Sequence, residues 1–301
     1  MNKIKIMIDI LYCTIRYLAS PNNYKKFKFY ELKANKRKTY LTNGYSENII
    51  KKYNDNNYRD IFEDKSLFAQ KFNKFFRREW LNIKDMNYDE FKHFISSKEK
   101  VIYKPVDSAQ ANGIEVIKIN KYKDIKEIYE YLKGKANGIL EEWIIQHENI
   151  SKIYPKAVNC LRVITILENN KCNIVSAYFA MANADEIANL ATGDLVAYID
   201  LDNGILNTDA SNFTGKVFKE HPISGVKIKG FQIPYWKEVC NMLEEASKVV
   251  PEVGYVGWDI AITPDGPLII EGNTSPGYVY FQVPELLNDR IGIKENYKEF
   301  L

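Results

Sequence analysis

Apolar residues recur at Ile4, Ile8, Leu11, Ile15 and Leu18, the spacing of an amphipathic helix that Ser20-Pro21 ends. Packing of this stripe on the protein's own core is the expectation, with a membrane surface as the alternative. Residues 22–60 are polar, rich in Asn, Lys and Tyr, and predict short helices and loops. Asp64 stands as the N-cap of a helix reaching about Trp80, whose Phe68, Phe72, Phe75 and Phe76 form a core stripe. From residue 100 the period shortens. Residues 101–105 and 114–119 read as strands about a polar loop from Asp107 to Gly113, followed by a helix over 123–133 and a strand over 138–143. Residues 158–168 and 172–181 predict an antiparallel pair joined at Glu168-Asn169-Asn170. A further strand near 194–201 precedes the turn Asp202-Asn203-Gly204. Residues 234–250 predict a helix and 255–271 a hairpin. Helices and strands mix without a βαβ repeat, which predicts an α+β fold of mainly antiparallel sheets.

Composition narrows the function classes. The chain has 301 residues, enough for a sizeable core, and its 42 Lys and Arg nearly balance 39 Asp and Glu. Residues 1–100 are the exception, with 22 basic against 12 acidic side chains. Such a front third can face phosphates, an anionic membrane or solvent. Solvent is the reading taken, because clusters such as Lys36-Arg37-Lys38 are too short for a nucleic-acid arm. Cys13, Cys160, Cys172 and Cys240 are scattered, without Cys-x-x-Cys or histidine at ligand spacing, which argues against thiol–metal chemistry and for a reducing cytoplasm. Asp9 and Arg16 interrupt the apolar stretch near the N-terminus, so no secretion signal is read there, and no window suits a membrane span.

The most informative stretch runs from Val256 to Asn273. Thr263-Pro264-Asp265-Gly266-Pro267 is turn chemistry between two apolar runs. A hairpin symmetric about Asp265 sets Ile262 opposite Leu268 and Asp259 opposite Glu271. Directly opposed carboxylates repel unless something neutralises them. Asn273, two residues beyond Glu271, projects from the same face. Two carboxylates and an amide oxygen suit a hard cation, Mg²⁺ or Mn²⁺. Acids solvated on an open sheet face are the other reading, against which their apolar flanks weigh.

Residues 257–260 with Glu271-Gly272-Asn273-Thr274-Ser275-Pro276-Gly277 resemble the end of ATP-grasp ligases, of which D-alanine–D-alanine ligase is a familiar member. The resemblance implies that Asp259, Glu271 and Asn273 bind magnesium that bridges the phosphates of ATP, with Glu271 the bridging ligand. Three further segments fall in the family's order. Asp64-Lys65 looks like the first ATP-contacting lysine. Lys104-Pro105, before a loop containing Ser108 and Gly113, looks like the second lysine and its phosphate loop, in which backbone N–H groups can cradle oxygens. Leu140-Glu141-Glu142-Trp143-Ile144 looks like the hinge that holds adenine and ribose, although alone it reads equally as an ordinary strand. Pro155, residues 158–165, His221-Pro222 and Gly257-Trp258-Asp259 together resemble the sugar-transfer-associated subgroup. One departure matters. Better-known members carry arginine two residues before the metal-binding aspartate, where this chain has Gly257. Arg162 is the candidate substitute for holding the transferred phosphoryl group, an ordinary ion pair being its other reading.

The resemblance implies an N-terminal helical segment over 1–60 and two α+β subdomains, 61–143 and 144–301, that clasp ATP. It also implies a carboxylate–amine ligase that works through an acyl phosphate, with Lys104 and Arg162 in catalysis. The expected partners are ATP and a small carboxylate and amine, sugar-linked in a polysaccharide precursor, with no nucleic acid. A kinase with His221 as base, or a non-catalytic nucleotide-binding module, is the rival reading.

Overall fold

The computed structural model describes residues 3–106, 113–135, 137–183, 193–212 and 215–301. Ser108 lies outside them. Helices α1 (Lys3–Tyr17), α2 (Pro21–Lys26), α3 (Ala34–Arg37) and α4 (Asn43–Tyr53) come first, then α5 (Asp60–Glu63), α6 (Lys65–Lys71) and α7 (Asn73–Phe76). Strands β1 (Trp80–Asn82), β2 (Lys100–Pro105), β3 (Glu115–Lys118) and β4 (Gly138–Glu142) form a four-stranded sheet in the order β1-β4-β2-β3. Helices α8 (Tyr88–Ile95) and α9 (Ile125–Lys133) cover it through Phe91, Phe94, Ile128 and Leu132.

After α10 (Glu148–Ser151) the chain enters a seven-stranded sheet. It contains β5 (Cys160–Glu168), β6 (Lys171–Met181), β7 (Leu195–Tyr198), β8 (Ala210–Ser211) and β9 (Val217–Phe218). Past α11 (Trp236–Ala246) it is completed by β10 (Tyr255–Thr263) and β11 (Gly266–Asn273). The order is β11-β10-β5-β6-β7-β8-β9, and every named pair in both sheets is antiparallel. The β5–β6 turn is the expected one: Asn169 and Asn170 both take positive φ, 51° and 62°, the conformation of a two-residue hairpin loop.

The expected α+β architecture is present, and three expectations change. The helix from Asp64 does not reach Trp80. Asp64 caps it, accepting from the backbone N–H groups of Ser66 and Leu67, but the helix bends at Phe72 and ends where Arg77 turns left-handed at φ 50°. The bend stacks Phe68 on Phe72 at 4.5 Å and sets Phe72 against Trp258, and Trp80 then begins a strand. Residues 60–76 therefore belong by packing to the large sheet's core, although they precede the small sheet in sequence.

The second change concerns the hairpin, whose turn is one residue tighter than the symmetric reading: Ile262 faces Pro267, and Leu268 faces Ala261. A β-bulge at Ile270 then restores the offset, so Asp259 still faces Glu271. The pairing expected from the sequence is correct because two one-residue displacements cancel.

The third change is in α1. The stripe expected to be buried faces solvent: Ile4, Ile8, Leu11 and Ile15 are 61–73% exposed and Leu18 38%, with Met7 beside them at 70%. The opposite side, with Cys13, Tyr17, Ile6 and Ile10, packs on the protein. Polar pairing selects that side. Asp9 takes two hydrogen bonds from Arg37 and one from Tyr24, and these hold the inner face of α1 down. The whole N-terminal segment rests on the chain's other end, through Lys28–Glu285, Arg290–Glu31 and the Asn23–Tyr278 hydrogen bonds.

Candidate active site

The front of the large sheet gathers the predicted metal ligands. Asp259 on β10 lies opposite Glu271 on β11 and, on its other side, opposite Arg162 on β5. Asn273 projects beside Glu271, and its amide N–H donates to the Gly257 carbonyl at 3.3 Å. Arg162 donates to both Asp259 oxygens, from Nε at 2.5 Å and from Nη2 at 2.7 Å. Gly257 keeps β10 close to its cover: a Cβ there would meet Ile164 and Pro276 at 3.1 Å, tighter than ordinary contact, and the Arg162 stem at an unstrained 3.5 Å.

Behind the same strands the packing is aromatic. Gly272, between the two ligand residues of β11, faces backward, where a Cβ would lie 2.9 Å from Phe62 and 3.1 Å from Phe68. Trp258 packs beside them and donates its indole N–H to Thr165 at 2.8 Å. Asn54 ties the two strands of this hairpin together at its open end. Its amide bonds the backbone of Tyr255 in both directions and donates to the Thr274 carbonyl.

The electrostatics follow from this geometry. Burial pushes the Asp259 carboxyl up to about 6, with Arg162 opposing and Glu271 adding to the rise. Burial also works against ionised Glu271, but a hydrogen bond from Asp259 and the fields of Lys104, Arg162 and Lys65 hold it below the usual range. The pair thus carries more negative charge than Arg162 offsets, and its donors are all oxygen. No three of His, Cys, Asp and Glu cluster as metal ligands among the described residues, so the Asn273 amide completes the candidate set. These residues fit Mg²⁺ or Mn²⁺.

Lys104 stands at the end of β2, buried, and donates to Glu141 at 2.8 Å. The same carboxylate oxygen accepts from Arg78 Nε at 2.8 Å. Arg78 was invisible to the sequence reading, being one more basic residue after an aromatic run. It is buried over the Phe76 ring, and its guanidinium also donates to the carbonyls of Ile269 and Ile270, the residues of the bulge. The Glu141 side chain, expected at the adenine hinge, is occupied by this network. Glu142 accepts from the Glu79 backbone N–H, Trp143 lies under the Lys100 ammonium, and Ile144 is half-buried just beyond the strand. Lys65 opens α6 and donates to the Val106 carbonyl at 3.3 Å, which brings it to the mouth of the loop after Lys104. Gly113 takes φ +74°, and a Cβ there would lie 3.0 Å from the Pro105 ring. His221 is committed elsewhere: its Nε2 bonds the Ala182 carbonyl at 2.9 Å, and its Nδ1 faces the N–H groups of Ile223 and Ser224.

Two outcomes test this site. Glu141→Ala leaves Arg78 and Lys104 buried without their carboxylate and is expected to cost roughly 3–5 kcal/mol in urea unfolding; a loss under 1 kcal/mol refutes the junction. Binding of Mn²⁺, followed by its electron paramagnetic resonance, is expected to be flat above pH 6 and to weaken about tenfold per unit below it. The sign follows because the ion binds the ionised carboxylate, and Asp259 takes up a proton near 6.

A family model described as sugar-transfer associated ATP-grasp matches residues 45–291, a span that includes Lys65, Lys104, Arg162, Asp259, Glu271 and Asn273. No curated protein sequence matches the chain significantly. Among solved structures it is similar to the ATP-grasp ligase PsnB complexed with a phosphomimetic variant of its minimal precursor, Mg and ADP (TM-score 0.49, 13% identity, 83% of this chain and 62% of that one). It is also similar to an L-amino acid ligase from Bacillus licheniformis (0.46, 10%, 79% and 48%). A third is D-alanyl-alanine synthetase A from Vibrio cholerae O1 biovar eltor str. N16961 (0.45, 13%, 80% and 63%). The chain spans less than two thirds of the length of each. With the family model covering most of the sequence, on an α+β frame that carries the motifs in order, the chain belongs to the sugar-transfer associated ATP-grasp family.

Proposed function

We propose that this chain is an ATP- and Mg²⁺-dependent carboxylate–amine ligase of the cytoplasm, with Mn²⁺ able to replace Mg²⁺. Its acceptor in this reading is a sugar-linked carboxylate of a polysaccharide precursor, in keeping with the family's description. The observation that carries the proposal is the opposition of Asp259 and Glu271, with Arg162 on the adjoining strand and the fields of Lys104 and Lys65 converging on Glu271. In this reading residues 61–143 and 144–301 are the two clasping subdomains, with the first stretch, to Phe76, packed on the larger one's sheet, and 1–60 is a helical appendage.

Asp259, Glu271 and Asn273 would hold the cation, whose chemistry is to neutralise phosphate charge. Lys65 and Lys104 contribute point charges toward the phosphates, and backbone N–H groups of the 108–113 loop contribute donors. Glu141, Glu142, Trp143 and Ile144 border the adenine side, with Glu141 acting through Lys104. A substrate carboxylate oxygen attacks the γ-phosphorus, the bond to the β–γ bridging oxygen breaks, and ADP leaves. The amine then attacks the acyl carbon and expels phosphate. Arg162 stabilises the charge that develops on the transferring group, and the protein positions reactants without supplying a nucleophile. The kinase reading has no base in His221, whose ring is buried and bonded at both nitrogens.

Incubation with ATP, Mg²⁺ and pooled uronic acids in hydroxylamine is expected to yield ADP and a hydroxamate. Asp259→Asn and Glu271→Gln should each abolish it. Arg162→Ala should lower kcat more than it raises KM for ATP. Lys104→Ala should weaken ATP binding about 10- to 150-fold, through loss of a charged contact worth roughly 1.5–3 kcal/mol. A stable phosphate ester without hydroxamate would sink the ligase assignment.

A further inference from the structure

Helix α1 has two apolar sides, and the fold uses one. Ile6, Ile10, Cys13 and Tyr17 pack inward, while Met7, Ile8, Leu11, Tyr12 and Ile15 form a continuous outward stripe at helical spacing. Isolated exposed apolar residues are ordinary; a contiguous row of large ones marks an interaction surface.

The charge around the stripe identifies what it meets. Lys5 and Arg16 border it on one side and Lys3 on the other, all exposed and without ion pairs among the described residues. The single acid of the helix, Asp9, is turned inward onto Arg37. Residues 3–44 hold ten basic side chains and two acidic ones, and Glu31, the second acid, pairs with Arg290. A second copy of this chain docked face to face would set basic borders against basic borders with no carboxylate to answer them. Anionic headgroups answer them directly, while the apolar row enters the acyl boundary and the lysine stems reach back to the surface. The helix is about 22 Å long at 1.5 Å per residue. No helix among the described residues is long and apolar enough to cross a membrane, so α1 would lie in the surface plane.

We propose that α1 docks the protein on an anionic bilayer surface, through Met7, Ile8, Leu11, Tyr12 and Ile15 with Lys3, Lys5 and Arg16 as its charged border. This does not depend on the reaction proposed above.

The test is co-flotation of the full chain with vesicles of phosphatidylcholine alone and of phosphatidylcholine with about one third phosphatidylglycerol. Binding to the anionic vesicles, weakened by salt and much lower on neutral ones, is expected. Ile8→Ser, Leu11→Ser and Ile15→Ser together should reduce it at least tenfold. Lys3→Glu, Lys5→Glu and Arg16→Glu should reduce it at least fivefold per residue. Circular dichroism melting checks the fold, and because the charge-reversed residues make no ion pairs among the described residues, that variant serves even if the serine variant is unstable. Absence of binding, equal binding to neutral vesicles, variants that bind like wild type, or a solution dimer broken by the serine variant would each overturn the proposal.

Discussion

One buried carboxylate ties the two sheets together. Glu141 sits on the small sheet, yet its charge is shared between Lys104 beside it and Arg78, which also donates to the Phe76 carbonyl and to the backbone of β11. Ions taken so far from water survive only in company, and removing one partner costs more than the set contributes. The small sheet is thereby tied to the strand that carries Glu271 and Asn273. Lys104 is also held in one place with its field on Glu271, as a mobile surface lysine would not be.

The large sheet divides labour between its faces. Its back is sealed by Phe62, Phe68, Phe72 and Trp258, while its front carries Arg162, Asp259, Glu271 and Asn273 in register. Strand alternation explains why such different chemistries share the same few strands. The front is itself covered further along, where Phe281, Tyr297 and Phe300 pack over Ile164, Ile166 and Tyr255. The ionic cluster therefore lies at the edge of an apolar cover.

What could be read in advance was whatever depends on local period and turn chemistry. Asp64 announces its helix, Asn169-Asn170 its turn, and the opposition of Asp259 to Glu271 follows from counting along a hairpin. The counting succeeded through an unseen compensation, since no residue near Ile270 advertises a bulge. Arg78 was illegible for a different reason: its partners lie 63 residues on in β4 and about 190 residues on in β11, and nothing local requires them. The orientation of α1 failed for a third. Both of its sides are apolar, and the choice between them rests on Asp9 meeting Arg37 from another helix, a tertiary contact that periodicity cannot rank.

Gly272 carries a mechanical meaning. Between Glu271 and Asn273, the two candidate ligands on β11, the chain omits a side chain and lets backbone rest directly on aromatic rings. A longer residue would interpose rotatable bonds, and each would let the strand yield. Ring against backbone has almost no give, since such contacts are nearly incompressible. The tolerance on ligand position in β11 is therefore set by ring thickness, like a part held against a hard stop. Precision at Glu271 and Asn273 comes from what is missing between them.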